Sequence, residues 1–165
     1  MHFEEHARDE MLGILEWLGD AEGAVEITRY TGLLTAQTAL DPVEVVTRVR
    51  QRLLEEPWSI RYCLRMVPIQ RTVQASMEDI IGESGFVAGM IPEGMTYKIY
   101  VKKRGSDISG TNLIREMASR IPNGVRMNHP DRVVLVEIIQ ASAGIAVLRE
   151  EDVLSMHGVK RSLSE

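Results

Sequence analysis

The sequence predicts an α+β protein built on a mixed sheet, and three features predict it. Thr96–Arg104 alternates apolar with basic residues, the period-two pattern of a half-buried strand. Val133-Val134-Leu135-Val136-Glu137-Ile138-Ile139 is apolar on both faces, as in a strand inside a covered sheet. Stretches with helical periodicity separate the strand patterns, so helices and strands share one core.

Phe3, Ala7, Met11, Ile14, Leu15 and Leu18 follow helical spacing and predict a helix over about 3–18, ended by Gly19-Asp20. Residues 25–30 and 33–38 read as two strands of a hairpin turned at Thr31-Gly32. Asp41, Pro42 and Glu44 form a capped helix start, and Pro57 stops that helix. Ile60, Tyr62, Leu64 and Met66 alternate with Arg61, Cys63, Arg65 and Val67, predicting a half-buried strand whose extended pattern continues past Pro68 to Ile69, Arg71 and Val73. Ser76 with Asp79 marks a helix start. Residues 82–95, with four glycines and one proline, read as a loop. After the strand at Thr96–Arg104 comes a turn-rich loop. A helix over 111–121 then packs Leu113, Ile114, Met117, Ala118 and Ile121 inward. Asn128-His129-Pro130-Asp131 is a turn, and 133–140 with 145–149 form a closing hairpin through 141–144. The polar tail from Glu150 is expected to be loosely held.

At 165 residues the chain fits one domain or two small halves. No apolar run reaches the roughly 20 residues of a membrane span, and the acidic N-terminus lacks a signal peptide's apolar region. The single cysteine, Cys63, excludes an internal disulfide and a cysteine-based metal site, and a reducing cytoplasmic setting follows as the simplest reading. The formal net charge of −5 is unevenly spread. Residues 1–56 carry 5 Lys+Arg against 12 Asp+Glu, a net of −7, whereas Thr96–Arg132 carries 8 against 3, a net of +5. A local basic field of that kind can bind phosphate on an acidic molecule.

The common catalytic constellations are missing from this pattern. His2 and His6 stand four apart at a terminus that would fray, and neither His129 nor His157 has the close partners of a zinc site. There is no Gly-x-Ser-x-Gly elbow and no Walker loop, and Gly82–Gly94 lacks the spacing of a phosphate cradle. His129 beside Asp131 is better explained by the turn. No cofactor is called for. The binding signal is stronger. Lys98, Tyr100, Lys102 and Arg104 share one face of their strand, three cations with an aromatic on which a base can stack. Lys103 lies opposite by strict alternation but close enough to the strand end to swing round. Lysines that merely blunt a sheet edge explain the same pattern equally well. Arg61, Arg65 and Arg71 form a second basic row, which merges with the first if the two strands are neighbours. Arg115, Arg120, Arg126 and Arg132 lengthen the positive segment, the two helical ones reading as solvated surface.

These residues resemble the THUMP domain, an RNA-binding module of tRNA-modifying proteins, over about Trp58–Arg149. The resemblance is carried by Arg61 through Ile69, by Tyr97 through Arg104, and by Asn128 through Ile139. It implies a THUMP domain over 58–150, preceded by a ferredoxin-like half over 1–57 and followed by a tail over 151–165. Such a half normally begins with a strand, for which there is no room before Phe3. The expected half is therefore truncated. The missing strand implies an exposed sheet edge that invites a homodimer, a strand donated by another chain, or a misassigned start. The arginine-rich strand ending in Val67-Pro68-Ile69 is most similar to the branch that serves as adaptor for tRNA cytidine acetylation. There a THUMP protein binds tRNA and a separate acetyltransferase makes N4-acetylcytidine. Other THUMP proteins carry a fused catalytic domain, and none fits behind Arg149. The resemblance thus implies a non-enzymatic tRNA binder that grips the acceptor region by shape, with Arg61, Arg65, Arg71, Lys98, Tyr100, Lys102, Lys103, Arg104, Arg126 and Asn128 as its RNA contacts. Two other classes stay open: an oligomeric interaction module without RNA, and a small enzyme centred on Glu137, the one carboxylate in an apolar strand.

Overall fold

A computed structural model describes residues 3–164, which form two compact units. The first comprises Met1–Pro68 with Asp152–Glu165, and the second Ile69–Glu151. The chain therefore divides after Pro68 rather than after residue 57, and its C-terminal segment is part of the first unit rather than a separate tail. No helix among the described residues is long and apolar enough to cross a membrane.

In the first unit, helix α1 (Glu4–Trp17) buries Ala7, Ile14 and Leu15 along the predicted stripe. Strands β1 (Ala24–Ile27) and β2 (Leu34–Gln37) pair as an antiparallel hairpin, and Gly32 takes the positive φ of 75° that its turn requires. Helix α2 (Pro42–Glu55) begins where its capping residues place it: the Asp41 carboxylate accepts from the N–H groups of Val43 and Glu44 at 2.8 and 3.1 Å. Val45, Val46, Val49 and Leu53 then meet Ile14, Leu15 and Leu18 in one core.

The strand expected over 60–67 contracts to β3 (Arg65–Met66). The cause lies more than fifty residues upstream. The Glu10 carboxylate on α1 accepts from the N–H groups of Arg61, Tyr62 and Cys63 at 2.8, 3.1 and 2.9 Å. Three successive amides aimed at one anion curl the backbone into a concave nest, and these donors are then lost to a ladder. Leu64, inward by alternation, is exposed. The expected loose tail is ordered for a similar non-local reason. Past a short 3₁₀ turn at Glu150–Asp152, strand β8 (Leu154–Ser155) pairs antiparallel with β3, and helix α6 (Met156–Ser164) follows. Leu154, Met156 and Val159 are buried in the core of this unit. Cys63 sits in the curled segment, where burial, with help from the Glu10 carboxylate, pushes its thiol up to about 12. Native protein is expected to resist alkylation by iodoacetamide at about pH 8 while unfolded chain reacts, and labelling of the folded protein at the unfolded rate would refute this.

The second unit is a four-stranded mixed sheet in the order β4-β7-β6-β5. Its strands are β4 (Arg71–Gln74), β5 (Tyr97–Arg104), β6 (Arg132–Ile139) and β7 (Ser142–Leu148). β5 and β6 run parallel, joined by helix α5 (Gly110–Ala118), while β6–β7 and β7–β4 are antiparallel. The β6–β7 turn is tighter than expected. Ile139 already faces Ser142, so Gln140, at φ 54°, and Ala141 make the whole turn. One sheet face carries Ile99, Val134, Val136, Ile138, Ala143, Ile145 and Val147, which pack with Leu113 and Met117 of α5. Two short helices, α3 (Met77–Ile81) and α4 (Ser84–Met90), complete that core. Helix α4 replaces the loop expected over 82–95. Gly85 and Gly89 lower its propensity, but burying Val87 and packing Phe86 on the core outweigh about 1 kcal/mol per glycine.

Candidate nucleic-acid interface

β5 presents the predicted alternation. Tyr97, Ile99 and Val101 enter the core, while Tyr100 is 51 % exposed on the other face with Lys98 and Lys102. These three side chains rise from successive same-face positions of one regular strand, spread over about 13 Å. Among the described residues neither Lys98 nor Lys102 has an ion-pair partner. The register adds a carboxylate that the strand alone did not disclose. Lys102 stands opposite Glu137 of β6. The Arg104 guanidinium donates to the Glu137 carboxylate at 3.2 Å, with the two side chains 24 % and 14 % exposed. Arg104 is thus tied down by a neighbour, and Glu137 serves as its structural counter-ion. Lys103 swings off the core face at the strand end, where its ammonium donates to the Ile108 carbonyl at 2.6 Å.

The N-terminal ends of β5 and β6 are locked together by Asp131. Its carboxylate accepts from the N–H and hydroxyl of Thr96 at 2.8 and 3.0 Å, and the Thr96 hydroxyl accepts from the Asp131 N–H at 3.2 Å. Val125 bridges to Tyr97, so the exposed loop carrying Arg126 and Asn128 begins beside Lys98. His129 is exposed in that loop, as the turn reading expects, and holds a φ of 51°. The Thr96 hydrogen bonds, aided by the charges of Arg126 and Arg132, hold the Asp131 carboxyl below its ordinary value near 3.8. A folded-state value below the unfolded one gives stability that is present above the unfolded value and lost as pH falls through the folded one. An Asp131→Asn protein is therefore expected to melt below its parent at neutral pH, with the gap closing in acid below about pH 4. A gap of equal size at both ends of a melting series would contradict this.

The other predicted contacts lie outside β5. Arg71 is in β4, at the opposite edge of the sheet from β5. Its position faces Ile145, so it belongs to the helix-covered face. There its guanidinium lies 4.5 Å from the Phe86 ring centre and 3.3 Å from the Glu83 carboxylate. Arg61 and Arg65 are exposed in the first unit, and β3 pairs with β8 rather than with any strand of the four-stranded sheet. The condition on which the two basic rows would merge, that their strands be neighbours, is not met in either sheet. His2 lies outside the described residues, and His6 stacks on Tyr62 with ring centres 5.0 Å apart. Among the described residues no group of three or more His, Cys, Asp or Glu side chains is arranged to hold a metal. The structure therefore brings together Lys98, Tyr100 and Lys102, with the Arg126–Asn128 loop beginning at one end. Sequence reasoning missed Thr96 and Asp131 as the clamp beneath this group and Glu137 as the partner of Arg104. The Thr96–Asp131 contact spans 35 residues and has no short-range signature.

PH1313 from Pyrococcus horikoshii Ot3 superposes on 93 % of this chain and 48 % of its own, with a TM-score of 0.66 and 13 % identity. TrmN from Thermus thermophilus matches 85 % of this chain and 41 % of its own, with a TM-score of 0.56 and 18 % identity. At such identities the likeness is one of fold, and the chain spans less than half the length of either protein. The THUMP domain of THUMP domain-containing protein 1 covers 42 % of this chain and 83 % of its own at 25 % identity, but a TM-score of 0.36 is too loose to carry weight. No curated protein matches the sequence. The THUMP family model matches residues 75–148, all within the second unit. That stretch includes β5 and the Asn128–Ile139 segment and excludes Arg61–Ile69. Residues 75–148 therefore match the THUMP domain, and Lys98, Tyr100 and Lys102 lie inside the match.

Proposed function

We propose that this protein binds tRNA through the β5 face and the Arg126–Asn128 loop of its THUMP domain, without chemistry of its own. In this reading it works in the cytoplasm as an adaptor, presenting tRNA to a separate acetyltransferase that forms N4-acetylcytidine. One observation carries the RNA reading: Lys98, Tyr100 and Lys102 stand in a row on a rigid strand of a THUMP domain, with no carboxylate paired to either lysine among the described residues. The two ammonium groups suit phosphate oxygens and the exposed ring suits a base at a single-stranded end. The duplex part of the acceptor stem would be read by shape, since its deep groove hides the base edges. The adaptor role rests on the likeness of Arg61–Ile69 to the acetylation branch. The acidic 1–56 segment, net −7, would be the spacer or the face on which the enzyme docks.

Titrating purified protein with total tRNA over a salt series tests the RNA reading. Three phosphate contacts predict a slope of about −2 to −3 in log affinity against log salt. Absence of binding at low salt, or binding indifferent to salt, refutes it. Reconstituting acetyltransferase and tRNA with and without this protein tests the adaptor role, which fails if acetylation proceeds equally well without it.

A further inference from the structure

β5 is an edge strand, and among the described residues its outer edge is unoccupied over most of its length. From the inner side, Arg132 N–H donates to the Thr96 carbonyl at 3.0 Å and Gln140 N–H to the Arg104 carbonyl at 2.8 Å. The backbone groups of Lys98, Tyr100 and Lys102, in the same phase, turn toward β6. From the outer side, Tyr97 N–H donates to the Gly124 carbonyl at 3.0 Å and Arg126 N–H to the Tyr97 carbonyl at 2.9 Å. Ile99, Val101 and Lys103 share the phase of Tyr97, so their N–H and C=O groups point outward. Among the described residues none of these groups has a hydrogen-bond partner. The short Gly124–Arg126 segment thus starts a further strand position that the described residues leave empty.

We propose that this edge takes up an extended segment of a partner protein in which acidic and apolar residues alternate, adding a strand beside Ile99–Lys103. The backbone is suited to strand addition. β5 pairs with β6 one-to-one from Tyr97 to Arg104, with no bulge to twist the edge away and no proline to block it. Charge selects the occupant. Acidic side chains of the added strand would lie beside Lys98 and Lys102, while its apolar ones would extend the row of Ile99 and Val101 over the core. A second copy of β5 would set lysine against lysine, so self-pairing is disfavoured. The lysines that guard this edge against identical chains are what recognise an acidic one. The inference rests on the strand order and charges alone and does not depend on tRNA binding. If both hold, the acidic segment and tRNA compete for Lys98 and Lys102.

The test uses the full chain and an acetylated octapeptide alternating glutamate with valine. Saturating peptide is expected to slow hydrogen exchange at the amides of Ile99, Val101 and Lys103, which exchange fast in the free protein. A peptide alternating glutamine with valine should bind more weakly. Lys103→Pro removes one outward N–H without touching the β6 ladder, and Lys103→Ala removes the same charge but keeps the N–H. The proline variant is expected to bind the acidic peptide roughly tenfold more weakly than the alanine variant. Unchanged exchange at the three amides, equal affinity of the two peptides, or protection of the edge by concentration-dependent dimerisation without peptide would each overturn the proposal. The exchange readout uses unsubstituted protein, so it stands even if the proline variant folds poorly. tRNA affinity of that same protein reports separately on the RNA reading.

Discussion

Reversing Lys98 and Lys102 together, as Lys98→Glu with Lys102→Glu, is expected to weaken tRNA binding about a hundredfold at low salt and to flatten the salt slope by about 2. Both side chains leave the same face of β5, and neither has an ion pair among the described residues that its replacement would break. The unfolding midpoint should therefore move little, since surface substitutions of this kind fall within about 0.5 kcal/mol. Glu137 sharpens the expectation for Lys102. It already stands opposite that position, so a second carboxylate there repels it and loosens its hold on Arg104, and whatever small loss of stability the double variant shows should come from Lys102→Glu rather than Lys98→Glu. Arg71→Glu is the matched control: its guanidinium is bound to Glu83 and Phe86 on the helix-covered face, so reversal should lower stability more than tRNA affinity. Filter binding at several salt concentrations reads affinity and slope, and denaturant midpoints of the same proteins read stability. An unchanged slope in the double variant would remove β5 from the interface, whatever the chain binds elsewhere.

The difference between Arg71 and Lys98 marks the limit of what the sequence discloses. Period-two alternation fixed which residues of β5 share a face, because that depends only on backbone pleat. The apolar run of β6 fixed that this strand lies inside a covered sheet. Helix α2 was legible from its capping residues and apolar stripe, and α5 from its apolar stripe alone. Everything set by pairing between distant segments was not legible. Whether two basic strands are neighbours depends on strand order, which alternation does not encode, and here β4 and β5 occupy opposite edges. Whether Arg104 is available depends on the register that places Glu137 within reach. Val87 and Phe86 in α4 are too few to outweigh two glycines on a periodicity count, although their burial does so in the folded chain. The C-terminal segment has the composition of a solvated tail, and its pairing with β3 and packing in the first unit's core bury Leu154 and Met156.

The largest effect on stability is expected from a residue with no place in the interface. Glu10→Ala should destabilise the first unit by about 2–4 kcal/mol, because three backbone N–H groups lose one charged acceptor at once. Water can replace part of this, since Arg61 is exposed and Tyr62 and Cys63 are half-buried, which keeps the value well under the sum of three buried bonds. Glu10→Gln separates geometry from charge. One carboxylate oxygen serves Tyr62 and Cys63 and the other serves Arg61, so the amide keeps an acceptor for the first pair and turns an NH2 toward the third donor. About half of the loss should remain. The curled segment also carries Cys63, so the alanine variant should expose that thiol to alkylation while leaving tRNA binding by the β5 face intact. Denaturant midpoints for the three proteins, measured beside Cys63 labelling, decide the matter. If Glu10→Ala unfolds at the same denaturant concentration as its parent, the carboxylate is not what bends residues 61–63, and the strand predicted there has been suppressed by something else.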